Sequence, residues 1–110
     1  MYYLRLNIIP KTKVILIKGN STKFAEFVNE QYNAVSMCFD EDLPLMKIPS
    51  ISYGSQLSED NQLQLLFDSL RKIDSFNADV AFIHLSPKVL NLAVLNRLLR
   101  ASGFNVMDLK

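Results

Sequence analysis

Apolar residues follow three patterns along this chain of 110 residues. In residues 2–9 apolar and polar positions alternate, which predicts a strand with one face in a core. Residues 14–17 and 80–85 are almost entirely apolar, as in strands that are buried on both faces. Apolar positions recur at helical spacing in three further segments, residues 21–33, 58–76 and 88–102.

Polar residues mark where these segments begin and end. Asn20 or Ser21 caps the first helix, and Ser58 caps the second. Ser86 precedes a proline at the start of the third helix, which Gly103 ends. Shorter strands are predicted at 35–39 and 105–109, and an extended edge segment, or alternatively a long loop, at 46–53.

The resulting order of elements is ββαβ(β)αβαβ. We predict a single α/β domain over residues 1–110, with a mixed, mainly parallel sheet of about five strands and three helices. Residues 2–9 and 14–17 are expected to pair as an antiparallel hairpin, because only a short break at Pro10 separates them.

Charge and cysteine content narrow the possible classes of protein. Twelve basic and eleven acidic residues leave a net charge of +1, which predicts no nucleic-acid partner and no membrane partner. Cys38 is the only cysteine, so the chain has no internal disulfide, and a reducing compartment is expected. With no visible signal peptide, we expect a cytoplasmic protein.

One turn is a candidate for binding a small ligand. It follows an apolar strand and opens a helix, so its backbone N–H groups could face an anion, and it is flanked by two lysines. The candidate residues are Lys18, Gly19, Asn20, Ser21 and Lys23. Because the repeated glycines of a nucleotide fingerprint are missing, a plain strand-to-helix turn is the alternative.

No residue pattern predicts catalysis, a metal site or a cofactor. His84 is the only histidine and lies near the end of an apolar strand, where we expect a hydrogen-bonded structural role. Cys38 is predicted to be a small buried apolar residue. The acidic run at residues 40–42 is expected to be a solvated turn, because consecutive carboxylates cannot all face one ion.

The last helix carries more apolar surface than one sheet contact requires. Leu90, Val94, Leu98 and Ala101 form a stripe that can face the sheet. A second stripe, which we call the leucine stripe, consists of Leu92, Leu95 and Leu99. Either the helix of residues 59–76 covers it, or a protein partner or second copy of the chain does.

These patterns favour a non-catalytic protein–protein interaction or adaptor module that acts through the leucine stripe, with self-association as one form. The alternative is a small-anion or nucleotide-binding domain that uses residues 19–23. An enzyme is the less favoured class, because no catalytic constellation is visible in the sequence.

Overall fold

The computed structural model describes residues 12–57, 62–85 and 92–109. Strands and helices alternate along these residues, with two short 3₁₀ turns between them. In chain order they are β1 (Lys13–Lys18), α1 (Ser21–Val28), β2 (Ala34–Cys38), a 3₁₀ turn (Asp40–Leu45), β3 (Ser50–Ser52), α2 (Gln62–Ile73), a second 3₁₀ turn (Asp74–Phe76), β4 (Val80–Leu85), α3 (Leu92–Ala101) and β5 (Val106–Asp108).

The five described strands form one sheet in the order β3-β2-β4-β1-β5. Every neighbouring pair is parallel. The predicted α/β class, with about five strands and three helices, is therefore confirmed. Among the described strands the sheet is parallel, and residues 2–9, the strand predicted to be antiparallel, lie outside them.

The strand β1, one half of the predicted hairpin, lies between two parallel neighbours. This strand is central, since β4 pairs with it on one side from Lys13 to Lys18 and β5 pairs with it on the other from Leu16 to Lys18. Both neighbours are parallel to β1. Residues 2–9, the other half of the predicted hairpin, lie outside the described residues.

Helices cover both faces of the sheet, which explains why the central strands are apolar at consecutive positions. On one face Leu16 and Ile83 pack against α2 and α3, and we call this the α2/α3 face. On the other, Ile17 and Phe82 pack against α1, and we call this the α1 face. Cys38 is buried on the α1 face as predicted, and burial raises the pKa of its thiol to about 11.

The chain reverses direction across the sheet between β1 and β4. From β1 it passes through α1 to β2, beyond β4, whereas from β4 it passes through α3 to β5, beyond β1. The two crossovers run in opposite directions on opposite faces, as a single handedness requires. Ligands of doubly wound sheets bind outside the carboxyl ends of the strands at such a reversal.

Helix and strand boundaries agree with the sequence pattern in most places. Asn20 caps α1, since its side-chain oxygen accepts a hydrogen bond from the Lys23 backbone N–H at 2.8 Å. The predicted edge segment contains β3, an edge strand. However, α1 ends at Val28 rather than near residue 33, and Tyr32, expected on its apolar stripe, is 94% exposed.

After Val28 the helical bonding changes to a tighter turn, since the Glu30 N–H donates to the Phe27 oxygen and the Gln31 N–H to the Val28 oxygen. Asn33 follows in a left-handed conformation with φ of 50°, which asparagine tolerates better than most residues. Ser58 and Ser86, the predicted caps of the other two helices, lie outside the described residues. In the part of the chain that is described, no helix has the length and apolar character needed to cross a bilayer.

Candidate functional site

His84 lies at the carboxyl end of β4, at the reversal between β1 and β4. Its side chain is fully buried on the α1 face. Nδ1 lies 2.6 Å from Oδ2 of Asp42, and Nε2 lies 2.7 Å from the backbone oxygen of Gly19. The imidazole therefore joins the end of β4 to the turn after β1 and to the 3₁₀ turn after β2.

The hydrogen-bond partners determine where the protons lie. The Gly19 carbonyl oxygen can only accept, so Nε2 of His84 carries a proton. Asp42 Oδ2 also accepts a hydrogen bond from the Phe39 backbone N–H at 3.0 Å. Nδ1 of His84 lies against the same oxygen, so one carboxylate oxygen of Asp42 links the His84 ring to the Phe39 backbone.

The pKa of Asp42 favours the ionised form. Burial by itself raises this pKa, but the hydrogen bonds from His84, Ser21 and the Phe39 backbone hold it below its ordinary value of 3.8. Among these hydrogen bonds, the one from His84 lowers the pKa most.

Aromatic rings enclose the pair. The Phe24 ring stacks on the His84 ring with centroids 4.5 Å apart, and the Phe39 ring meets it edge-on at 5.2 Å. The buried Tyr53 hydroxyl donates to the His84 backbone oxygen at 2.5 Å, and burial raises the pKa of Tyr53. We call this group the His84 cluster: Gly19, Phe24, Phe39, Asp42, Tyr53 and His84.

The structure agrees with one sequence prediction at this edge and corrects another. His84 is a buried, hydrogen-bonded histidine, as expected. The acidic run is not uniformly solvated, because Asp42 is fully buried while Asp40 and Glu41 stay exposed and accept hydrogen bonds from Ser52 and Ser55. The 3₁₀ turn separates the three carboxylates by pointing Asp42 into the sheet edge.

The candidate ligand turn lies beside the His84 cluster. Lys18, Asn20 and Lys23 are exposed, whereas the backbone oxygen of Gly19 is held by His84. A Cβ at Gly19 would lie 3.3 Å from Cβ of Leu109, so this position has little room for a side chain.

Ser21, the first residue of α1, helps to lower the pKa of Asp42, so this carboxylate lies near the helix start, where an anion was predicted to bind. The assignment of Lys18, Gly19, Asn20, Ser21 and Lys23 to a ligand stays a prediction.

The two sides of α3 are clearly different. Val94, Leu98 and Ala101 face the sheet, as predicted. The Arg97 guanidinium lies over the Phe67 ring of α2 at 5.4 Å, so this flank faces α2.

Within the leucine stripe, Leu99 packs against the core, Leu95 is half-buried and Leu92 is 70% exposed. The role of these three leucines in binding a partner stays a prediction.

Residues 12–57, 62–85 and 92–109 were searched for side chains that could bind a metal ion. No group of three or more histidine, cysteine, aspartate or glutamate side chains lies close enough together there to hold a metal ion. The buried side chains of His84 and Asp42 contact each other at this edge of the sheet. His84 also contacts the Gly19 backbone oxygen, and Asp42 accepts a hydrogen bond from the Phe39 backbone N–H. Their arrangement suits a structural junction between strand ends.

Acid should remove a stabilising contribution that Asp42 makes. Because its folded-state pKa lies below 3.8, the folded state favours the ionised form more than the unfolded chain does. This stability is present above about pH 4 and is lost as the pH falls through the folded-state pKa. We expect the free energy of unfolding, measured in urea between about pH 2 and about pH 6, to fall more with acid in the wild type than in Asp42→Asn.

The comparison with Asp42→Asn isolates one carboxyl group. The hydrogen bond from Ser55 also lowers the pKa of Glu41, but that effect is present in both proteins and cancels in the difference. If the two pH profiles run parallel in acid, the Asp42 carboxylate contributes no pH-dependent stability.

Comparisons with known proteins identify the family. Residues 9–103 match the family model described as Threonylcarbamoyl-AMP synthase, C-terminal domain. The chain belongs to this family. No curated protein matches the sequence.

Two solved structures are similar to the chain in fold. Sua5 from P. abyssi complexed with L-threonine is 24% identical, and the match covers 93% of this chain and 31% of that one with a TM-score of 0.65. A P. abyssi Sua5 variant with two alanine substitutions is also 24% identical, with 91% and 30% covered and a TM-score of 0.61. The chain thus spans about a third of the length of these structures.

Membership of this family corrects the functional prediction. A non-catalytic interaction or adaptor module is wrong, because the matched family is a domain of a synthase. The alternative function for the whole chain, a small-anion or nucleotide-binding domain, is also replaced by this family assignment. The family match covers residues 9–103, a stretch in which no catalytic motif was predicted.

Proposed function

We propose that this chain serves the synthesis of threonylcarbamoyl-AMP, as the C-terminal domain of the synthase. The observation that carries the proposal is the family match over residues 9–103. The solved P. abyssi Sua5 structure with L-threonine supports threonine as a substrate of the synthase in which this chain acts. The product named by the family joins threonine, through a carbamoyl group, to the phosphate of AMP.

The contribution of the chain in this proposal is a rigid sheet edge. The His84 cluster joins the ends of β1 and β4 to the segments that follow β2 and β3, through hydrogen bonds at Gly19, Asp42 and Tyr53. Such a junction cannot move one strand end without breaking a buried hydrogen bond, each worth about 1–3 kcal/mol when its partner is left unsatisfied. The edge at the reversal is therefore held in one geometry for the rest of the synthase.

Partners and location follow from the same proposal. The protein partner is the remainder of the synthase, which corresponds to the part of the P. abyssi structures that this chain does not span. The cytoplasm is the proposed location, since the single cysteine suits a reducing compartment. A homodimer is not required by this proposal.

The experiment is a deletion in the source organism. Removing the coding segment for residues 1–110 should lower threonylcarbamoyl-AMP in cell extracts, as measured by mass spectrometry with isotopically labelled L-threonine. The unsubstituted protein should restore the product. His84→Ala, which removes the centre of the His84 cluster, should restore it at least about tenfold less, because loss of a buried network lowers the amount of folded protein.

Tyr32→Ala is the matched control. It also shortens an aromatic side chain, but Tyr32 is exposed, so this variant should restore the product as well as the unsubstituted protein does. An unchanged product level after deletion would overturn the proposed function. Full restoration by His84→Ala would leave the function but overturn the role of the rigid edge.

A further inference from the structure

Residues 41–48 connect β2 to β3 across the α1 face, and we call this segment the strap. A backbone hydrogen bond marks each of its ends. The Asp40 N–H donates to the Gly54 oxygen at 2.8 Å, and the Pro49 oxygen accepts from the Ser36 N–H at 2.9 Å. The strap is therefore fixed to the sheet on either side, at the positions where it begins and ends.

Between these ends the backbone of the strap bonds locally. Among the described residues, its bonds to other backbone groups run from the Asp42 N–H to the Phe39 oxygen and from the Met46 N–H to the Leu43 oxygen. Both span three positions of the chain and neither reaches the sheet or a helix. Because segments outside a ladder of backbone hydrogen bonds open at a lower free energy than core strands, the strap depends on its side-chain contacts.

Side chains tie the strap to its surroundings near both ends. Near the first end, Asp42 contacts His84 with 2.6 Å between Oδ2 and Nδ1. Near the second, Asn29 at the end of α1 makes two hydrogen bonds. Its Nδ2 donates to the Leu45 oxygen at 2.9 Å, and its Oδ1 accepts from the Lys47 N–H at 2.8 Å. Asn29 thus holds the strap against α1.

The apolar packing of the strap is light. Met46 and Ile48 are partly buried against the core of the α1 face. Leu43 and Leu45, in contrast, remain 40% and 43% exposed. Since hydrophobic stabilisation is proportional to the apolar area removed from water, these side chains hold the strap less firmly than full burial would.

Cys38 lies beneath the strap. It is fully buried in the same cluster against which Met46 and Ile48 pack. Burial is the largest cause of the raised pKa of its thiol, and the charges of Asp42 and Asp40 act in the same direction, which places the start of the strap near the sulfur. The closed strap therefore keeps the thiol both covered and protonated, the unreactive form of cysteine.

We infer that the strap opens as one unit about Asp40 and Pro49 while the sheet stays folded, and that this opening uncovers Cys38. The same movement separates Asp42 from His84, so it releases one contact of the His84 cluster. Asn29 is the latch that keeps the strap closed. This inference is independent of the proposed function, because its readout is the reactivity of one thiol in the isolated chain.

The rate at which Cys38 reacts with dithionitrobenzoic acid, an aromatic disulfide, measures this opening at about pH 8. The thiolate attacks the disulfide of the reagent, forms a mixed disulfide and releases one coloured thionitrobenzoate, whose absorbance gives the rate. Cys38 is the only cysteine, so the signal reports one position. Asn29→Ala removes both hydrogen bonds of the latch and should raise the rate at least about tenfold.

Two control variants separate strap opening from other effects. Gln31→Ala also removes an amide side chain near the end of α1, but Gln31 donates to the Phe27 oxygen and not to the strap. Leu98→Ala makes a cavity on the α2/α3 face and lowers the stability of the whole chain, as urea denaturation will show. Both should leave the Cys38 rate within about twofold of the unsubstituted chain. Leu98→Val serves the same purpose where the alanine variant does not fold.

Three results would overturn the inference. The rate for Asn29→Ala could be no higher than that for Gln31→Ala, which removes the latch. The rate could rise in Leu98→Ala in proportion to its loss of global stability, which assigns the exposure of Cys38 to unfolding of the whole chain. Finally, the folded, unsubstituted chain could react as fast as the chain unfolded in urea, which shows that the strap does not cover the thiol.

Discussion

Replacing Asp42 with alanine should lower the free energy of unfolding by about 3–5 kcal/mol, the usual effect of removing one partner from a buried ion pair. His84 would keep its hydrogen bond to Gly19 but would lose the carboxylate on Nδ1. The Phe39 N–H would also lose its acceptor. Urea denaturation near neutral pH, followed by circular dichroism, measures the loss.

Asp40→Ala is the matched control for this prediction. It removes the same side chain two positions away, where the carboxylate is exposed, and should change the free energy of unfolding by less than about 1 kcal/mol. The losses from Asp42→Ala and His84→Ala should add to more than the loss in the double variant, because the two residues share one interaction. An Asp42→Ala loss no greater than that of Asp40→Ala would contradict the pair.

Phe82→Ala should also lower the free energy of unfolding by about 3–5 kcal/mol, as large-to-small changes in a closed core do. Phe82 is buried in the central strand β4 and packs with Ile17 and Val28 on the α1 face. Its ring meets the Phe27 ring edge-on, with centroids 5.5 Å apart. The same denaturation experiment measures the effect.

Tyr32→Ala provides the comparison for an exposed aromatic residue. Its expected change is within about 0.5 kcal/mol, because surface substitutions away from special features have little effect. A Phe82→Ala loss below about 1 kcal/mol would contradict the central, buried position of β4.

The elements of the fold could be predicted because their signals are local. The near-continuous apolar run at residues 80–85 reflects helices on both faces of β4, and the spacing of Val94, Leu98 and Ala101 reflects one sheet-facing side of α3. Each pattern depends on residues within one or two turns of each other. The end of α1 was misplaced because Tyr32 continues the helical spacing of apolar residues although it is exposed.

The candidate site could be predicted only in pieces. His84 and the Gly19 turn were predicted as two separate features, because each lies at the end of an apolar strand. Their hydrogen bond joins residues 65 positions apart, and the bond from His84 to Asp42 joins residues 42 positions apart. No local pattern distinguishes Asp42 from Asp40 and Glu41, because the turn of the backbone decides which carboxylate points inward.

The sequence by itself determined the α/β class, the positions of most strands and helices, and the buried character of His84 and Cys38. These follow from the hydrophobic periodicity of short segments, which burial imposes directly. Only the tertiary structure decided the strand order β3-β2-β4-β1-β5 and the union of Gly19, Asp42 and His84 at one edge. Periodicity states which side of a segment is buried but not which segment buries it, and that choice is made by the crossovers that bring distant strand ends together.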